Sequence, residues 1–452
     1  MHAVDSITKA IASYSAGLTH ADLTPAALHG IKRRLVDTMG CALGGLNGAP
    51  VTIARQIAAT TRGEPSARVF FSGELTTVDT ATFANSLMVR YLDFNDTYMA
   101  KEGGHPSDTI AGTIAMADGV GLAGADALLA MVVAFETVCA LAEVVHLAAH
   151  GIDHSLHVAI GSAVGASKVM GLGEEQTAHA IAMATASNVS LKVARDGQLS
   201  MWKSGSAANA AKGGVFCARL ASMGMTGPSE AFTASGGLAG VLGEIPDMPR
   251  FGGREQSFHT DRSSIKAFPA QYNAQSAIWA ALALRDLLDG RTPDEIIVTS
   301  YGHAVRSSAD STKWIVHDRE TADHSIPYLV AVALIDGEVT PAQFTYERIS
   351  NPDVQMLLPH ISVREDPSMT AAFPGALAAH ISAFADGRKF EALVPNAKGH
   401  ELNPLSDAEI GTKFRSLAHN VMPTARIDSV LERLWAFEDE PSVTAWVESL
   451  HV

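Results

Sequence analysis

Hydrophobic residues recur every three or four positions through the first half of the chain, and this spacing predicts a series of helices. Gly, Pro, Asp and Thr residues separate the apolar stretches and mark the helix ends. The predicted helices are 25–43, 51–61, 80–92, 108–120, 125–145, 157–170, 175–188 and 206–223. Small residues along 159–166 favour close helix packing. The first half is therefore predicted to be a helical bundle.

The pattern changes after residue 266. A helix predicted at 274–288 is followed by strand-like runs with β-branched residues, and a helix at 326–335 interrupts them. The predicted strand regions are 295–301, 343–349, 361–364 and 379–393, the last with a hairpin turn at Asp386-Gly387-Arg388. From Ser406 onward the pattern is helical again. The fold class predicted is mainly α, with a large all-helical domain at 1–265 and 400–452 and a smaller α+β domain at 266–399.

Composition narrows the class of protein. With 452 residues, 47% of them hydrophobic and 18% charged, two well-packed domains are expected. A formal net charge of -15 without a basic run argues against nucleic acid or an anionic membrane as a partner. Cys41, Cys139 and Cys217 lie far apart, so no short segment offers a zinc or iron–sulfur framework. The N-terminal sequence has no basic region followed by an apolar core, and the expectation is a soluble, cytoplasmic protein.

Two lysines stand in dense runs of small, polar and aromatic residues. Lys203 lies in segment 197–205 (GQLSMWKSG) and Lys266 in segment 264–270 (SIKAFPA). We expect Trp202 and Phe268 to exclude water from them, which would strengthen the attraction of each ammonium for a carboxylate. Alternatively, an isolated lysine at the start of a helix is a solvated surface residue without a functional role. Together the two lysines predict a site for a small polycarboxylate, with Ser204 as a neighbouring substrate-binding candidate.

An acidic loop with a histidine follows the predicted helix 80–92. Segment 91–98 (YLDFNDTY) leads to 103–108 (GGHPSD), which places Asp93, Thr97 and His105 near the start of another helix. The amide groups of a helix N-terminus favour an anion. Ordinary loop and capping chemistry would use the same residue types.

Further histidines were weighed for metal binding. His146, His150, His154 and His157 are spaced by four, four and three residues, but no acid–histidine zinc motif accompanies them and Gly151 interrupts the helix. No metal is predicted, and His154 alone is kept as a site candidate.

Segment 320–328 (ETADHSIPY) opens a helix and has two interpretations. Asp323 or Ser325 can serve as the helix cap. Alternatively, Arg319, His324 and Tyr328 reach a shared cleft, where they would anchor a carboxylate or supply an acid.

These runs together resemble the MmgE/PrpD family, and within it the 2-methylcitrate dehydratases, over nearly the whole chain. The likeness is carried by 93–97 with 104–108, by 199–203, by 265–270 and by 321–328. It implies a helical domain built from both chain ends, a smaller α+β lid domain, a homodimer, no metal or organic cofactor, and a role in propionate catabolism. Site positions of the family match Asp93, Thr97, His105, Lys203 and Lys266, with Tyr328 as a lid tyrosine and His154 only loosely matched.

The resemblance also defines the expected chemistry. Dehydration of a tricarboxylate needs a base for a weakly acidic proton, an acid for the leaving hydroxyl and cations for the enolate-like charge. Asp93 or His105 is the expected base, His105 or Tyr328 the acid, and the lysines hold the carboxylates. Alternatives are cis-aconitate decarboxylation, epimerisation of an iminodisuccinate-like substrate and, in another class, a non-catalytic polycarboxylate-binding protein.

Overall fold

The computed structural model describes residues 4–254 and 256–452, and the fold is mainly α. The helices of the first half are α1 (Ser6–Gly17), α2 (Pro25–Gly45), α3 (Ala49–Thr60), α4 (Val78–Tyr91), α5 (Ile110–Val120), α6 (Gly124–Val144), α7 (Ser155–Val169), α8 (Glu174–Ser187), α9 (Trp202–Ser222) and α10 (Leu238–Leu242). The later helices are α11 (Gln275–Leu288), α12 (Gly302–Ser308), α13 (Arg319–Ala322), α14 (Ile326–Asp336), α15 (Tyr346–Ile349), α16 (Pro352–Leu357), α17 (Pro367–Ala372), α18 (Asp407–Ala418), α19 (Thr424–Trp435) and α20 (Val443–Ser449).

Strands in the described residues form three small sheets. They are β1 (Ser66–Arg68), β2 (Leu75–Thr77), β3 (Asp96–Met99), β4 (Gly103–Gly104), β5 (Ser264–Ile265), β6 (Glu295–Ser300), β7 (Ile361–Glu365), β8 (Ala379–Ala385) and β9 (Arg388–Val394). β1 pairs with β2, and β3 lies between β4 and β5. The largest sheet has the order β7-β6-β8-β9, in which only the β6–β7 pair is parallel.

All eight helices predicted for the first half are present, with ends shifted by a few residues. One shift matters for the site: α9 begins at Trp202, not at residue 206. Lys203 therefore lies in the first helical turn, and not before the helix as the predicted start at residue 206 implies.

The predicted hairpin is confirmed and one predicted strand is wrong. Asp386 and Gly387 both have positive φ, of 50° and 70°, as a two-residue hairpin turn between β8 and β9 requires. Segment 343–349 instead forms a 3-10 turn followed by α15. Thr340 makes a capping box with Gln343, and Thr345 caps α15, so local capping overrides the β-propensity of this run.

Buried apolar side chains form two main cores. The first joins α1–α10 to the C-terminal helices α18–α20. The second lies between the four-stranded sheet and α11 and α14. The connection from one core to the other runs through β5, which pairs with β3 and is followed directly by Lys266.

Helix α6 is long and apolar enough to cross a membrane, judged by its length and composition alone. However, 89% of its most apolar 18-residue stretch is buried inside the protein. Helices α7 and α2 and the turn Phe437–Asp439 pack on it. It is a core helix, which explains why apolar residues cover its whole circumference.

Candidate active site

Asp93 is the centre of a buried charged cluster. Helix α4 ends at Tyr91, and Asp93 takes a left-handed backbone conformation with φ of 49°, which is uncommon for a residue with a side chain. The ammonium of Lys266 donates to Asp93 twice, to its Oδ1 at 2.5 Å and to its carbonyl at 2.9 Å. This contact follows from the pairing of β3 with β5, which places Lys266 beside the loop that follows α4.

Lys203 reaches the same carboxylate from α9. Its Nζ lies 3.5 Å from Oδ2 of Asp93 and donates to both carboxylate oxygens of Asp323 at 2.7 Å. Asp323 also accepts a 2.6 Å bond from Nδ1 of His324, whose Nε2 is 3.6 Å from Asp93. Asp323 and His324 precede α14, so this contact joins the second half of the chain to the first.

Arg90, in the last turn of α4, also binds the Asp93 carboxylate. Its guanidinium donates to Oδ1 of Asp93 at 3.1 Å and to Oδ1 of Asn95 at 2.6 Å. Its Nε lies 3.4 Å from Asp108, and the Nδ2 of Asn95 donates to Asp108 at 2.9 Å. Because Arg90 is fully buried, its charge acts on Asp93 with little screening.

These contacts set the protonation states of the central pair. Burial raises the pKa of Asp93, but the charges of Lys266, Arg90, Lys203 and His324 outweigh it and hold the pKa well below its usual range. Burial lowers the pKa of Lys266 to about 8, although the Asp93 carboxylate opposes this. Asp93 is therefore an anion at neutral pH, and Lys266 is a cation that can release its proton readily.

His105 lies at the edge of this cluster, and in the part of the chain that the structure describes its Nε2 has no hydrogen-bond partner. Its Nδ1 donates to the carbonyl of Asp96 at 2.6 Å and lies 3.3 Å from Oγ1 of Thr97. A carbonyl only accepts, so the proton is on Nδ1 and the lone pair is on Nε2. Burial, then the charges of Arg90 and Lys266, lower the pKa of His105 well below its usual value. The imidazole is therefore neutral.

His154 lies against His105, with ring centroids 5.3 Å apart and the rings edge to face. Burial lowers its pKa to about 3. Among the described residues, Nε2 of His154 has no hydrogen-bond partner. The structure thus brings together Asp93, Thr97, His105, His154, Lys203 and Lys266.

Two predicted site residues have other contacts. The Tyr328 hydroxyl donates to the carbonyl of Gln343, and it bonds none of the cluster side chains in the described part of the chain. Ser204 is buried, but its hydroxyl donates to the carbonyl of Met201, the residue just before α9. We expected Trp202 to exclude water from Lys203, but its side chain is 52% exposed and does not do so. Phe268 is buried.

Asp93, Asp323 and His324 place three metal-capable atoms within 4.8 Å of one another. Both carboxylates already accept bonds from lysine ammoniums, which stand where a cation would bind. Adding a divalent ion there would bring it against Lys203 and Lys266, so the donor set favours a carboxylate ligand over a metal.

A cleft of about 850 Å³ lies elsewhere, between the ends of α11 and α14. Its lining includes Arg285, Arg291 and His360 and contains no residue of the Asp93 cluster. The chemistry of the chain is concentrated at the cluster, not in this cleft.

Sequence reasoning missed Arg90 and underrated Asp323. An arginine in an apolar helix, three residues before a predicted site aspartate, was the available signal for Arg90. Asp323 was considered only as a cap, and Ser325 is the actual cap of α14.

Comparison with known proteins identifies the family. The model of the MmgE/PrpD N-terminal domain matches residues 9–250, and that of the MmgE/PrpD C-terminal domain matches residues 268–436. The chain belongs to the MmgE/PrpD family. The resemblance inferred from the motifs is confirmed.

Several proteins that this chain is similar to are named as dehydratases. A mitochondrial 2-methylcitrate dehydratase of Yarrowia lipolytica is 34% identical over 62% of this chain and 57% of its own length. The 2-methylcitrate dehydratase of Escherichia coli K12 is 30% identical over 70% of this chain and 69% of its own length. The human cis-aconitate decarboxylase is 25% identical over 96% of this chain and 92% of its own. The prediction of an enzyme of hydro-lyase type is confirmed by these dehydratases.

Proposed function

We propose that this chain removes water from a small tricarboxylate without a metal or organic cofactor. The first candidate substrate is 2-methylcitrate, giving 2-methyl-cis-aconitate, and citrate is a further candidate. The observation that carries the proposal is the convergence of two buried ammoniums, those of Lys203 and Lys266, on one carboxylate, Asp93, at 3.5 and 2.5 Å. Similarity to the 2-methylcitrate dehydratases supports it.

The lysines are the proposed carboxylate anchors. An ammonium has three donors, and Lys266 uses two of them, both on Asp93. The third donor is available to the substrate. Lys203 is held by Asp323, so a substrate carboxylate would take the place of Asp323 as the two halves of the site separate and close again.

His105 is the proposed base. Both oxygens of Asp93 already face cations, so neither is open to a substrate proton. His105 is neutral and has its Nε2 lone pair free. In the proposed step Nε2 takes the proton next to a substrate carboxylate, and the electron pair of that C–H bond forms the new double bond.

The leaving hydroxyl requires an acid, and Lys266 is the proposed one. Its pKa of about 8 makes it a stronger acid than an ordinary lysine. As the C–O bond breaks, hydroxide takes the proton of Lys266 and departs as water. Lys203 and Arg90 offset the negative charge that develops on the substrate as the C–H proton is removed.

The domain arrangement belongs to the same proposal. We assign the helical domain to 1–265 with 400–452 and the α+β lid to 266–399, in keeping with the separate cores. Lys203 and Asp323 would then meet across the closed lid. A homodimer, a cytoplasmic location and a role in propionate catabolism remain predictions.

Decarboxylation of cis-aconitate is the second candidate, favoured by the human decarboxylase that aligns over nearly the whole chain. The same lysines would hold two carboxylates while the third leaves as carbon dioxide. Lys266, the proposed acid, would then deliver a proton to the carbanion.

Mass-detected assays of 2-methylcitrate, citrate and cis-aconitate separate these reactions. Loss of one water from a hydroxy-tricarboxylate supports the dehydratase. Loss of carbon dioxide from cis-aconitate with no water loss from the others replaces it with the decarboxylase. Binding by calorimetry without any product would indicate a binding protein.

A further inference from the structure

Lys413, outside the cluster just described, contacts the backbone of Lys266 and of Phe94, the residue after Asp93. It lies on α18, which packs against α2, and its side chain is only 8% exposed. Its Nζ lies 2.6 Å from Oδ1 of Asp37 on α2. The same ammonium donates to the carbonyl of Phe94 at 2.6 Å and to the carbonyl of Lys266 at 3.0 Å.

The aromatic ring of Phe94 completes the environment of this ammonium. The Nζ of Lys413 is 3.7 Å from the ring centroid, a close cation–π contact. One cation thus holds the backbone and the side chain of the residue that follows Asp93, and also the backbone of Lys266. The ion pair with Asp37 adds a third partner on another helix.

Two neighbouring backbone segments are fixed by this arrangement. Asp93 has a left-handed conformation, which persists only where the surroundings hold it. Lys266 lies just beyond the two-residue strand β5, so little regular structure fixes its carbonyl. Lys413 donates to the carbonyl of Phe94, the residue after Asp93, and to the carbonyl of Lys266, where the strand pairing has ended.

We infer that Lys413 is a positioning residue that holds Asp93 and Lys266 in register, delivered to the site by the C-terminal segment of the chain. The inference rests on the proposed function, since it acts through residues proposed to bind and protonate the substrate. It also explains why the chain returns to its first domain after the second: α18 carries a cation that the site requires.

The test compares Lys413→Met with Lys32→Met. Lys32 is a matched control because it too joins α2 to the C-terminal segment, through a 2.6 Å bond to Glu438, without touching the cluster. We expect Lys413→Met to lower kcat about 10- to 100-fold, as a displaced catalytic group does, with KM changed less than about threefold. Lys413→Arg, which keeps the charge, should recover part of kcat, and Lys32→Met should keep kcat within about twofold.

A second variant keeps the test informative if Lys413→Met does not fold. Lys413→Met leaves the Asp37 carboxylate buried without its partner, so the double variant Asp37→Asn with Lys413→Met removes that charge as well. A folded single or double variant with wild-type kcat overturns the inference.

A crystal structure of Lys413→Met gives a readout that is independent of turnover. We expect the 2.5 Å contact between Asp93 and Lys266 to be broken, and an unchanged contact would overturn the inference. If the wild-type protein converts none of the tricarboxylates, the proposed function fails, and this contact alone then decides the role of Lys413.

Discussion

Replacing Lys203 by methionine separates the structural role of this lysine from its proposed catalytic role. Methionine keeps most of the side-chain volume but removes the ammonium, which leaves Asp323 as a carboxylate without a lysine partner. Asp323 is fully buried, and breaking such a pair costs about 3–5 kcal/mol of unfolding free energy. The same change removes one of two cations proposed to hold substrate, for which a loss of about 100- to 1000-fold in kcat is expected.

The double variant Lys203→Met with Asp323→Asn distinguishes the two effects. Asparagine keeps the acceptor for His324 but carries no charge, so most of the lost stability should return in urea unfolding. Activity should not return, because the cation is still missing. Lys168→Met is the control, since within the described residues Lys168 donates to the carbonyls of Ser15 and Leu18, away from the cluster. A double variant with wild-type kcat/KM would refute the role of Lys203 in substrate binding.

Four further predictions concern single groups. The kcat/KM should fall above about pH 8 as Lys266 loses its proton, because its pKa is lowered and only the protonated form can act as the acid; a pH–rate profile that stays level to pH 10 would contradict this. His105→Gln should lower kcat about 100- to 10,000-fold in steady-state assays, and a small effect would shift the role of base to Asp93. Tyr328→Phe should leave kcat nearly unchanged, because its hydroxyl is bonded to Gln343, and should lower unfolding free energy by about 0.5–1.5 kcal/mol; a large fall in kcat would return Tyr328 to the site. Prolonged chelation should not reduce activity, and restoration by an added divalent ion would show that a metal is needed.

The helical part of the fold was predictable because apolar spacing and capping residues act locally. The eight helices of the first half and the hairpin at Asp386 were found from such signals. Segment 343–349 was misassigned because its β-branched and aromatic residues outweighed the caps at Thr340 and Thr345 in our interpretation. Capping is decided by single hydrogen bonds, which propensity averages over.

The types of residue in the site could be predicted from the sequence, but the contacts between them could not. Lys203 and Lys266 were expected to contact substrate, and their partnership with Asp93 and Asp323 depends on contacts between distant segments of the chain. Arg90 looked like any helical arginine until its burial was known. Tyr328 was predicted from its motif, yet the direction of its hydroxyl depends on Gln343, fifteen residues away.

Absorbance of a new conjugated double bond, on mixing chelator-treated protein with 2-methylcitrate, tests the central claim most directly. The same measurement on Lys203→Ala and Lys266→Ala supplies the comparison. The account predicts a rise that survives chelation in the wild-type protein and is lost in both variants. A wild-type protein that gives no rise with 2-methylcitrate, citrate or any related hydroxy-tricarboxylate, or a rise that persists in both variants, would contradict it.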